Sequence, residues 1–219
     1  MAIVGPPVAL ALALLWIGRD VLVMPRAASP HLDRQLPDPQ VDEAFAIGVP
    51  ASPSAVWAAV RDADLLGLGV LQPRCLLTGA DAGRRAADGG GRIDALAAEG
   101  DVTILDEVPG EEIVVGAVGQ PWRACGATVR LSPEAFTAFD RPGHARAVFS
   151  LSVARQDPGT LVVVAWRIAA TDDASRRALA AWWRAAGPAA RLAVHLALPA
   201  LAHAAEARAH GAATQAALR

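Results

Sequence analysis

From about residue 171 to about residue 209 the sequence keeps a helical pattern over some forty residues, ALAAWWRAAGPAARLAVHLALPALAHAAEA among them. At ~1.5 Å per residue an uninterrupted helix would span roughly 55 Å, too long for one domain of this size. Gly187-Pro188 is therefore expected to kink or break it, and Pro199 to bend it again, because proline lacks the N–H and its ring crowds the preceding turn. Leu179, Trp182, Ala186, Ala193, Leu196 and Leu201 supply an apolar stripe. Arg177, Arg184, Arg191 and His195 share one face at spacings of seven, seven and four. Thr171 reads as the N-cap, with Asp172 and Asp173 in the first turn where the helix dipole favours negative charge. A helix this long and apolar needs a large partner surface, and the preceding residues must provide it.

They read as antiparallel strands. In residues 41–49, Phe45, Ile47 and Val49 alternate with small or polar residues, and Pro50 ends the run. Ser52-Pro53 reads as N-cap and first helical position of a short helix to Arg61, since proline's missing N–H is harmless there. A second short helix is expected over residues 64–70, and residues 72–77 read as a short apolar strand. Residues 79–100 are rich in Gly, Ala and Asp and read as a loop with one helical turn. Its glycines are no phosphate cradle, because no GK[ST] follows. Two hairpins come next. Residues 102–108 and 112–118 flank Pro109-Gly110, and residues 145–155 and 160–170 flank Asp157-Pro158-Gly159. Between them, residues 128–131 and 135–140 read as a strand and a connection. The expected fold class is α+β: a curved antiparallel sheet wrapped around a long, kinked C-terminal helix, with short helices after the first strand. Such a sheet needs cover on its concave face, one helix does not fill it to normal density, and the gap is where a ligand would sit.

Composition removes several chemistries. All 20 basic residues are Arg, and the sequence holds no Lys, Tyr or Asn. That rules out a lysine Schiff base, a phosphate-loop lysine, a tyrosine proton donor and an N-glycosylation acceptor. The net charge is −2 with no basic tract, so no nucleic-acid partner is indicated. Cys75 and Cys125 are too few and too far apart for a disulfide framework and read as reduced. No Cys/His spacing resembles a metal site, and no metal or cofactor is expected.

Residues 2–18 are apolar throughout, the lower edge of a membrane-spanning length. No positive n-region precedes them, and Arg19, Arg26 and Arg34 follow, which by the positive-inside rule keeps the rest of the chain cytoplasmic. A membrane anchor at the inner face, a helix packed on the domain or a start assigned too early, and a cleaved export signal all remain open. The organisation is then an apolar segment over residues 1–24, a polar, proline-punctuated linker over 25–40, the domain over 41–210 and a tail over 211–219.

The stretch FAIGVPASPSAVWAAVRD, then VTILDEVPGEEIVVGAVGQPW, FDRPGHARAVFSLSV and AATDDASRRALAAWWRAAGP, resembles the START-like, or SRPBCC, helix-grip superfamily, in an uncharacterised bacterial branch. That superfamily includes polyketide cyclases, dehydratases and lipid-transfer domains. The resemblance implies an internal cavity for a small hydrophobic ligand, lipid-like, aromatic or polyketide-like, held by a carrier or sensor; the alternative is a cyclase or dehydratase using the same cavity. Where such proteins often carry Thr-Glu-Thr-Arg before the last helix, this chain reads Val164-Ala165-Trp166-Arg167 and keeps only the Arg.

The residues expected to line the cavity are Trp57, Trp122, Phe149, Trp166, Trp182 and Trp183, because aromatic side chains suit an apolar pocket with a polar handle. Trp166 shares the phase of Val162, Val164 and Ile168, the inner face. For proton transfer the candidates are His144, at the start of a strand, and Arg146. Against them stand plainer readings: core packing for the tryptophans, solvated outer faces for Arg123, Arg146 and Arg167, and a solvated turn for Asp106, Glu107, Glu111 and Glu112. His195 and His203 read as helix-face residues.

Overall fold

The computed structural model describes residues 21–24, 29–63, 92–123 and 128–217. The apolar segment at residues 2–18, the helix expected at 64–70, the strand expected at 72–77, most of the Gly-rich stretch, Cys75 and Cys125 lie outside the described residues.

Strand β1 (Leu22–Met24) precedes helix α1 (Pro30–Gln35), strand β2 (Val41–Val49) and helix α2 (Pro53–Asp62). Helix α3 (Ile93–Glu99), strands β3 (Thr103–Val108) and β4 (Glu112–Gly119) and the short helix α4 (Pro133–Thr137) follow. The second hairpin, β5 (Ala145–Gln156) and β6 (Gly159–Ala170), leads into helix α5 (Asp173–Ala217). The strands form one six-stranded antiparallel sheet in the order β1-β2-β6-β5-β4-β3. The fold is α+β, an open antiparallel sheet carrying a long C-terminal helix, the helix-grip layout expected from the sequence. The strands at residues 41–49 and both hairpins stand where the alternation placed them.

Three local readings change. Helix α5 is one continuous element of 45 residues that runs through Pro188 and Pro199, and it continues past residue 211, where a tail was expected. Each proline removes one backbone bond, but packing offsets the loss: Leu198, Leu201, Ala202 and Ala205 are buried, and α5 packs on β2, β6 and α2. The stretch Asp173–Gly211 is also long and apolar enough to cross a membrane, with a mean hydropathy of 1.2 over its most apolar window. Here its inner face is spent on the sheet. The cap of α5 is Asp172, which accepts from the Ala174 and Ser175 backbone N–H groups at 2.9 and 3.0 Å. Thr171 instead exchanges hydrogen bonds with the His144 backbone. Residues 128–131 form no strand, although the Val129 N–H donates to the Val118 carbonyl.

The largest correction concerns the linker. Residues 30–35 are helix α1, capped by Ser29 and opened by Pro30, and Leu32 and Leu36 are buried. They cover the convex face of the sheet with Ala44, Val114, Val118, Phe136, Val148 and Ala165, a core separate from that under α5. Gly116 makes room for it: a Cβ there would stand 2.7 Å from both Phe136 and Leu105. Arg167, expected on a solvated face, is fully buried beneath α1. Its Nη1 donates to Asp33 at 2.7 Å, and its Nε lies 3.3 Å from Asp42. The acidic hairpin residues are also engaged. Ser29 donates to Glu112 at 2.8 Å, Asp106 meets His31 and Arg34, and Arg61 of α2 donates to Glu107 at 3.1 Å. The His31 hydrogen bond holds the Asp106 carboxyl below its ordinary range.

Two predictions follow from these contacts. Arg167→Leu removes the buried cation that faces Asp33 and Asp42 and releases α1, so urea unfolding should show a loss of about 3 kcal/mol, the scale for breaking a buried pair. Asp172 is held well below the ordinary Asp range, first by the Ser175 hydroxyl and next by the Gly143 N–H. A depressed carboxylate stabilises the fold above its unfolded value, and that contribution is lost as pH falls through the folded one. Asp172→Ala should therefore lower Tm at pH 7. The difference from wild type should shrink below about pH 4, the unfolded Asp range.

Candidate functional site

The strand register assembles one row of side chains across the concave face. Glu43 of β2 stands opposite Trp166 of β6, and Trp166 stands opposite Phe149 of β5. Because side chains alternate, Val41, Glu43, Phe45 and Ile47 share this face with Val162, Val164, Trp166 and Ile168. Phe45 packs on Trp166 with ring centroids 5.0 Å apart. From above, α5 lowers Trp183 against Trp166, edge to face at 6.3 Å, and Trp182 against Trp183 at 5.7 Å. His195 meets Phe45 edge-on at 5.6 Å. Such pairings match the positive edge of one ring with the negative face of another.

Glu43 is the charged member of this row, and three donors hold it. Arg191 grips it from α5 with Nε to Oε2 at 3.0 Å and Nη2 to Oε1 at 2.6 Å, and the Trp183 indole N–H donates to Oε1 at 3.3 Å. A bidentate guanidinium–carboxylate pair is among the stronger polar contacts. The Glu43 hydrogen bond raises the Arg191 pKa above its ordinary value. Gly187 completes the arrangement, because a Cβ there would stand 3.1 Å from the Trp183 ring. The Trp183 indole therefore packs closely over Gly187.

One polar group in the row has no such partner. Trp166 is 7% exposed, and its indole N–H is buried with no hydrogen-bond acceptor among the described residues.

The structure brings Phe149, Trp166, Trp182 and Trp183 together on the concave side. Trp57, on α2, and Trp122, in the turn after β4, are half-buried against the same core. His144 and Arg146 are not part of this group. The His144 Nδ1 lies 3.0 Å from the Pro142 carbonyl and its ring abuts Phe139 on the convex side. Arg146 donates to the Thr137 carbonyl at 3.1 Å, and burial lowers its pKa. Arg123 is exposed. Sequence reasoning missed Glu43 and its grip by Arg191. The signal was present: Glu43 sits in phase with Val41, Phe45 and Ile47, where a strand with one buried face places apolar residues. Among the described residues no group of three or more His, Cys, Asp or Glu side chains could hold a metal ion. A separate open groove of about 1000 Å³ lies at the far end, between residues 50–55, the β5–β6 turn and Arg208, and no expected site residue lines it.

No protein-family model, curated protein or solved structure matches this chain.

Glu43→Ala leaves Arg191 and the Trp183 indole without their acceptor. We expect a stability loss of about 1 to 2 kcal/mol, a moderate value because Arg191 is half-exposed. A double-mutant cycle with Arg191→Ala should be strongly non-additive, since each single change already removes the pair.

Proposed function

We propose that the concave face binds a small hydrophobic molecule, lipid-like, aromatic or polyketide-like, and that the protein acts as its carrier or sensor. One observation carries this reading. The row next to Glu43-Trp166-Phe149 runs Ala117, Ala147, Ile168, and both alanines are only half-buried although they face inward. Their methyl groups leave a shallow apolar floor in the row beside Phe149. The principal packing of α5 is on β2, β6 and α2, which are displaced from that floor. Apolar surface left open beside closed aromatic rings is the chemistry of a hydrophobic site with few polar groups. The START-like resemblance of the sequence points the same way. The tryptophans act in this reading as walls, with the Glu43–Arg191 clasp fixing α5 over the sheet.

We propose further that residues 2–18 tether the domain to the inner face of the membrane. The arginines that follow the apolar run support that orientation. A lipid-like ligand would then be taken up where its source lies.

Native mass spectrometry of the full chain purified from its own cells should show a bound apolar molecule. Adding a naphthalene-type ligand to delipidated protein should quench or shift tryptophan fluorescence, and Ala147→Phe, which fills the floor, should weaken that response at least tenfold. A full response in Ala147→Phe would sink the site.

A further inference from the structure

We infer that the ligand of the concave face carries a hydrogen-bond acceptor, a carbonyl or phenolic oxygen, and that the indole N–H of Trp166 is the donor that recognises it. This rests on the ligand-site reading above and adds the chemistry of the ligand to it. The argument starts from accounting. A buried donor without an acceptor costs free energy, and indole N–H groups buried in proteins usually find a partner. Trp183 has found one in Glu43, whereas Trp166, directly across the strand pair from Glu43, has none among the described residues. The carboxylate is already occupied by Arg191 and Trp183. The neighbouring rings, Phe45 at 5.0 Å and Trp183 at 6.3 Å, offer at most a π face, a weak acceptor. The remaining in-phase neighbours on this face, Val164, Ile168 and Phe149, bring no side-chain acceptor. Thr160, also on β6, is already committed to the Ala51 carbonyl at 2.7 Å.

The placement fits a bound molecule. The half-open floor of Ala117 and Ala147 lies one inward row from Trp166, about 7 Å along the strand. A fused two-ring body seated on that floor reaches the indole with a substituent. The N–H is closed from solvent in this structure, so the ligand meets it when a neighbouring side chain moves aside. Trp183, resting on Gly187 and held by a single 3.3 Å bond, is the neighbour positioned to give way. The chain has no Tyr, Lys or Asn, so the indole supplies the aromatic hydrogen bond that tyrosine often would. An acceptor-bearing ligand then gains at a buried donor, and an equally shaped hydrocarbon leaves that donor unpaired.

The test uses two probes of one shape, 2-acetylnaphthalene and 2-isopropenylnaphthalene, which differ only in C=O against C=CH2. Their affinities for the delipidated full chain and for Trp166→Phe are measured by calorimetry. The ratio of affinities in wild type, divided by the ratio in the variant, cancels the difference in hydration of the two probes. We expect a value of roughly three to ten, the range for one neutral hydrogen bond. In wild type, 2-acetylnaphthalene alone should also move one indole N–H resonance downfield in the ¹⁵N–¹H spectrum, and this readout survives if the variant fails to fold. Equal ratios with both probes bound, or no indole resonance moved downfield, overturn the inference and leave the ligand site standing. If neither probe binds wild type, the ligand-site reading and the inference with it are overturned.

Discussion

Strand β6 must be covered on both faces, and the rest of the fold answers to that requirement. It lies between β2 and β5 in the interior of the sheet, and its alternation sends Trp166 to one side and Arg167 to the other. A buried guanidinium cannot stay unpaired without a cost of several kcal/mol. Arg167 therefore draws Asp42 from the adjacent strand and Asp33 from α1, and α1 closes over it. On the concave side Trp166 demands aromatic cover, which Phe45, Phe149 and the Trp182-Trp183 pair provide. Two consecutive residues thus fix which segment lies on which face.

Strands were legible because their code is local. Period-two alternation and Pro-Gly or Asp-Pro-Gly turns fixed both hairpins to within a residue or two. The end of α5 and the fate of its prolines were less legible, because a helix passes through a proline when tertiary packing offsets the missing bond. The placement of the candidate residues was legible in part: phase alone put Trp166 inward, and the Trp182-Trp183 pair followed from the helix. His144 and Arg146 looked chemically apt but share a phase that points to the convex side. Chemical aptness carries no information about which face a side chain occupies.

Helix α1 shows why the linker reading failed. Polar, proline-rich composition is the mark of a linker, yet Ser29-Pro30 has the same cap grammar as Ser52-Pro53 and Ser132-Pro133, and all three open helices. The two leucines at 32 and 36, four apart, formed the apolar stripe of so short a helix. The partners that justify it, Arg167, Asp106 and Glu112, lie far along the chain, so no window of sequence contains them.

The Glu43 clasp bears on how α5 keeps its continuity. Trp183 precedes Pro188 and Arg191 follows it, and both donate to the same carboxylate on β2. The segment with the missing backbone bond is thereby held from both sides against a rigid strand. The same clasp ties α5 to β2 beside Trp166. The feature that carries the helix across its proline is therefore also the one that fastens α5 over the concave face.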